Sequence, residues 1–265
     1  MTGQTTVLAQ GLAWPPSVND FFAPAIAPWG ADGYHHPWFT KVTLMLWLSV
    51  AIIILYFLIS YRKPKLVPTK KQWIAESIYG FVRNNIAVDM LGKDGVRFAP
   101  YLATLFCFIF VMNLWGIIPF FQLSPNAHIA FPAVLAVVTY VMFIYLGFKR
   151  HGPGYLKQAL ILPAPWFIQP ILIPIEFFST FIVRPFSLAV RLFANMFAGH
   201  MLLLVFTLGG FAMINANALL APISVLSWIM TILLTFLDFA VIALQAYVFT
   251  VLTASYLQGS LAEGH

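Results

Sequence analysis

Residues 184–200 read RPFSLAVRLFANMFAGH, which places two arginines, an asparagine and a histidine inside a long apolar tract. A guanidinium keeps its proton at every accessible pH, so an arginine here is a poor proton carrier but a good fixed positive charge. Such a cation favours the ionised form of any carboxylate brought beside it and lowers that carboxylate's pKa. Glu176, His200, Asp238, Asn195 and Gln245 supply groups that titrate or bind water. A fixed cation among such groups is the composition of a proton-translocating site. An arginine near a bilayer centre costs about 2.5–3.5 kcal/mol on insertion scales, so it faces protein or a water-filled cavity.

Spacing sorts these groups. On a regular helix Ser187, Arg191 and Asn195 follow at i, i+4 and i+8 and form one stripe. Arg184 falls about 20° from Arg191, whereas Glu176 falls about 60° away if the helix stays regular across Pro185. His200 lies about 180° around from Arg191, on the other side of the helix. Asp238 and Gln245 are seven residues apart and share a face. Plainer roles exist for each: Arg184 as a snorkelling anchor, His200 as a packing residue, Asp238 as structural glue, Asn195 and Gln245 as interhelical hydrogen-bonders. Arg191 is the hardest to explain so, because no acid lies within a helical turn of it.

The elements that hold these residues belong in a membrane. Of 265 residues 61% are hydrophobic and 8% charged, far below the roughly 25% charged of a soluble domain. The net charge of +6 gathers beside the apolar spans, which marks topology rather than nucleic-acid binding. The sole cysteine, Cys107, sits in an apolar run and forms no disulfide framework. Residues 1–37 are an irregular tail without a signal peptide's basic start, and His35–His36 has no companion ligand at metal spacing.

Val42–Ser60 is the first span, followed by the basic stretch YRKPKLVPTKKQ, so the N-terminus lies outside and this loop in the cytoplasm. In Lys70–Lys93 Ile74, Ile78, Val82, Ile86 and Met90 recur every four residues among polar ones; the pattern is an amphipathic helix on the cytoplasmic membrane surface or docked on a partner. Phe98–Phe121 and Ala130–Phe148 form a transmembrane hairpin ending in Lys149–Arg150. From Gln158 to Ala262 the only Asp, Glu, Lys or Arg residues are Glu176, Arg184, Arg191 and Asp238. The uncharged break at 209–218 divides this region into two arms, each too long for one upright span of about 30 Å. Prolines 163, 165, 170, 174 and 185 can break the first arm; the second suits one long oblique helix. The fold class is therefore an all-α integral membrane protein: a first transmembrane helix, an amphipathic surface helix, a hairpin, and two long tilted helices. Three segments follow: the tail 1–37, residues 38–157, and the tilted hairpin 158–265 with the translocation site.

RPFSLAVRLFANMFAGH closely resembles the signature S-L-x-x-R-L-x-x-N-x-x-A-G of subunit a of F-type ATP synthases. NLWGIIPF (113–120) is similar to that family's N-L-x-G-x-x-P segment, and residues 237–257 to its last helix with an L-Q-A element. The resemblance covers most of the chain after about residue 35. It implies a proton-conducting stator subunit, in a bacterial plasma membrane, whose long hairpin hugs a ring of c subunits beside b-type peripheral stalk subunits. Two aqueous half-channels end on either side of Arg191, which meets the ionised rotor carboxylate and blocks leakage between them. Ser187 belongs to the signature, and Asn195 and Gln245 support Arg191 from the two arms. Glu176, His200 and Asp238 line the channel on the side opposite the cytoplasm, with His200 and Asp238 close together. On this reading the chain forms no bond itself, needs no cofactor, and leaves ATP chemistry to other subunits. The alternative is a secondary transporter holding an anionic solute on Arg191, which would favour an internal repeat that the sequence lacks. A metallohydrolase would want H-E-x-x-H, and the six histidines show no such spacing.

Overall fold

The computed structural model describes residues 6–8, 12–14, 41–62, 65, 67–118, 124–152, 154–155, 168–216 and 221–261. Pro163, Pro165, His35, His36 and the last two residues of NLWGIIPF lie outside them. The described chain is helical apart from a small antiparallel pair, β1 (Thr6–Leu8) against β2 (Leu12–Trp14), in the segment read as irregular. Five of its helical stretches are long and apolar enough to cross a membrane. Many apolar side chains point outward from them, Trp47, Leu58 and Phe236 each more than 60% exposed, which water would penalise and lipid accepts.

Helix α1 (Lys41–Tyr61) is the first span. Helix α2 (Lys70–Val82) continues through a π-helical turn, Arg83–Val88, and stops at Gly92, whose φ of +58° only glycine takes without strain. Ala75, Val82, Ile86 and Ala87 are fully buried, and the last three pack with Phe98, Leu102, Phe143, Ala254 and Leu257 of other helices of this chain. Residues four apart drift about 40° per step, so the expected apolar row cannot keep to one face. Ile74 is accordingly exposed while Val82 and Ile86 are buried.

Helices α3 (Gly95–Leu114) and α4 (Ala130–His151) form the hairpin. Its turn is tied by two buried hydrogen bonds: Asn126 donates to Asn113 Oδ1 at 2.6 Å, and Ser124 donates to the Met112 carbonyl at 3.1 Å. Trp115 donates to Ser49 at 2.7 Å and pins α1 to the end of α3.

The first arm is α5 (Gln169–Phe178), a π-helical turn at Ser179–Val183, and α6 (Arg184–Ala216). Pro174 and Pro185 therefore sit inside a continuing helical path instead of ending it. The Pro185 ring crowds the carbonyl of Phe181 and supplies no N–H for it, and the backbone widens there into the π turn. The second arm is one helix, α7 (Ala221–Leu261), of 41 residues. At 1.5 Å per residue it runs about 62 Å, twice the hydrocarbon thickness, so it crosses obliquely. Buried clusters join Leu105 and Ile109 of α3 to Leu188, Leu192, Ala246 and Phe249 of the arms, so packing crosses the 157/158 boundary.

Candidate functional site

Arms α6 and α7 run antiparallel, and their contacts read like rungs. Asn195 donates to Gln245 Oε1 at 2.7 Å. Further along, Ser227 donates to the Phe206 carbonyl at 2.7 Å and Ser224 to the Gly210 carbonyl at 2.5 Å. Hydroxyls at Thr250 and Thr253 bond carbonyls one turn back, so this seam buries small polar residues with their hydrogen bonds satisfied.

Arg191 lies one turn from the Asn195–Gln245 rung and near the middle of the 46-residue apolar stretch Gln169–Ile214. It is exposed, and no hydrogen bond or ion pair reaches it among the described residues. Ala194, Asn195 and Ala198 are exposed beside it, at i+3, i+4 and i+7, whereas Leu188, Leu192 and Met196 on the other face are buried. A guanidinium midway along an apolar helical stretch thus stands on a stripe of small side chains that this chain does not cover. Ser187 is half-buried on the same side.

Two polar regions flank this point. Toward the start of α6, Glu176 Oε1 accepts from Thr180 at 3.1 Å and from Arg184 at 3.4 Å. Arg184 also lies 5.7 Å from the Tyr256 ring. These groups line a cavity of about 170 Å³ with Tyr155, Gly259 and Ser260. Tyr155 stacks edge-on against Phe148, so the cavity belongs to the end of the bundle that carries Lys149 and Arg150. Toward the other end, no α7 residue between Ser227 and Ile242 is buried, and Asp238 lies in that open section, its carboxylate against Gly199. His200 is 7% exposed and packs on Gly116, where any Cβ would overlap its ring. His200 Nε2 is buried and meets no hydrogen-bond partner among the described residues.

Geometry corrects two expectations. Glu176 does not join His200 and Asp238 on one side of Arg191; it lies toward the opposite, basic end, because the helical path continues from α5 through Pro185 into α6. His200 and Asp238 occupy neighbouring turns of α6 and α7 but form no ion pair, since the imidazole points toward Gly116 just after α3 and the carboxylate toward the α6 backbone. The Asn195–Gln245 contact fits their plainer reading as interhelical hydrogen-bonders, and the separation of His200 from the arginine face is as the spacing predicts. Roles that sequence reasoning missed belong to Asn113, Trp115 and Gly116. All three stand in the NLWGIIPF stretch, whose pattern was the available signal; they tie Asn126, hold Ser49 and make room for His200.

The sequence profile of the family described as ATP synthase A chain matches residues 43–258. The chain is 43% identical over 256 residues to ATP synthase subunit a of Pseudarthrobacter chlorophenolicus, covering 95% of this chain and 94% of that one. It is 41% identical over 261 residues to ATP synthase subunit a of Streptomyces lividans, covering 96% and 90%. Over 268 residues it is 41% identical to ATP synthase subunit a of Rhodococcus erythropolis, covering 98% and 94%. With the match extending over most of its length and including the arginine-bearing helix, the chain belongs to the ATP synthase A chain family.

Proposed function

We propose that this chain is the proton-conducting stator subunit in the membrane sector of an F-type ATP synthase. Its partners are a ring of c subunits, b-type peripheral stalk subunits and the lipid bilayer of a bacterial plasma membrane, with the N-terminus outside and the C-terminus in the cytoplasm. Residues 158–265 form the translocating unit, residues 38–157 support it, and residues 1–37 are the outer tail. Family membership supports the complex. The position of Arg191 supports the mechanism: an uncovered cation mid-way along an apolar helix, with a polar region toward each end.

The charges then work in sequence. A rotor carboxylate travels through lipid neutral, because an unpaired carboxylate in hydrocarbon is too costly. Facing Arg191 it meets a permanent positive potential, ionises and releases its proton. The proton leaves through one polar region, and the rotor carboxylate is recharged from the other after passing the arginine. Glu176, with Thr180 and Arg184, lines the exit or entry at the basic end; Asp238 and His200 line the opposite one. Asn195 and Gln245 hold the two arms in register beside Arg191. The guanidinium cannot relay a proton, so the two regions stay separate, and each charge crossing the full potential delivers about 2.3 kcal/mol per 100 mV to rotation.

Disulfide trapping in the assembled complex tests this arrangement. Ala194→Cys, on the exposed stripe beside Arg191, should cross-link to a cysteine placed next to the rotor carboxylate, while Ala189→Cys, buried on another face, should not. Equal cross-linking at both positions, or none at 194, contradicts it.

A further inference from the structure

Away from the arginine stripe, the outer surface between α3 and α4 carries a groove of about 620 Å³. We propose that this groove is a binding site for an anionic phospholipid. Its walls are apolar or aromatic, Tyr101 from α3 and Val137, Val141 and Tyr145 from α4 among them, and its end holds two cations, Arg97 and Lys149. No hydrogen bond or ion pair from either cation to a carboxylate occurs among the described residues; the nearby Asp94 is held by Arg150 at 2.8 Å instead. The Lys149 ammonium lies 5.8 Å from the Tyr145 ring, over the groove wall.

Length and charge both fit a lipid. From Val137 to Lys149 the α4 wall rises about 18 Å, close to the hydrocarbon depth of one leaflet, about 15 Å. Apolar walls along that depth suit acyl chains, and two unpaired cations at the headgroup end suit a phosphodiester. That end is the one the positive-inside rule assigns to the cytoplasm, where anionic lipids concentrate and basic pockets between transmembrane helices take their headgroups. A transmembrane helix of a partner would need no cation pair at this depth, so charge complementarity favours the lipid.

Native mass spectrometry of the full chain in detergent, titrated with phosphatidylglycerol or phosphatidylcholine, tests the site. The wild-type chain should retain phosphatidylglycerol preferentially. Arg97→Gln with Lys149→Gln should weaken that retention about thirtyfold, equivalent to about 2 kcal/mol for two cations near an anionic headgroup. Val141→Trp, filling the groove while leaving both cations, should also weaken it; Val141 is 57% exposed, so the fold tolerates the larger side chain. Loss on removing the cations but not on filling the groove would mean headgroup or free-phosphate attraction alone and would overturn the proposal. So would retention of both lipids equally, or displacement of phosphatidylglycerol by inorganic phosphate at matched concentration.

Discussion

Each arm of the long hairpin offers one amide at the level of Arg191, and the 2.7 Å hydrogen bond between Asn195 and Gln245 joins them. Gln245 is 3% exposed and its Nε2 has no further partner among the described residues, so this bond is what satisfies its oxygen. Interhelical hydrogen bonds in membranes contribute about 0.6 kcal/mol on average and at most about 1.7. A double-mutant cycle with Asn195→Ala and Gln245→Ala, measured by unfolding in mixed micelles, should give a coupling in that range; zero coupling would contradict the contact. The stripe of Ser187, Arg191 and Asn195 and the opposite placement of His200 were readable from spacing, because helical periodicity alone decides which side chains share a face. That His200 turns away from Asp238 was not readable. It depends on Gly116, in the turn that follows α3, leaving a space that the imidazole fills, a contact no periodicity within α6 or α7 encodes.

Elements in this chain meet where one of them has no side chain in the way. At Gly116 a Cβ would overlap His200, and at Gly199 it would meet the Asp238 carboxylate. Gly116→Val should therefore destabilise the contact between α6 and the turn after α3 by about 1–3 kcal/mol, the usual range for overpacking. His200→Ala in the same chain should recover most of that loss. An unaltered unfolding midpoint for Gly116→Val would show that this turn and α6 do not meet there. Spans α1, α3 and α4 and the unbroken α7 were legible as runs of apolar residues of spanning length. The path through Pro174 and Pro185 was not, since proline signals a break but tertiary packing decides between a break and a π turn. That difference carries Glu176 to the basic end, away from His200.

In the whole molecule the basic loop after α1 (Arg62, Lys65), the end of α4 (Lys149, Arg150) and the end of α7 should share one side of the membrane. The shared cavity of Tyr155, Glu176 and Ser260 already brings the last two together. Single cysteines at Val67 and Gly154 should react with an impermeant maleimide only from the cytoplasmic face; labelling of the two from opposite faces would overturn the topology. Within that frame the proposed role of Arg191 is electrical, a fixed positive charge between two polar regions that must not join. The most direct measurement is ATP synthesis driven by an imposed proton gradient in vesicles whose assembled complex carries Arg191→Ala. Coupled synthesis should fall to background while the complex stays assembled. Synthesis at the wild-type rate would contradict the account.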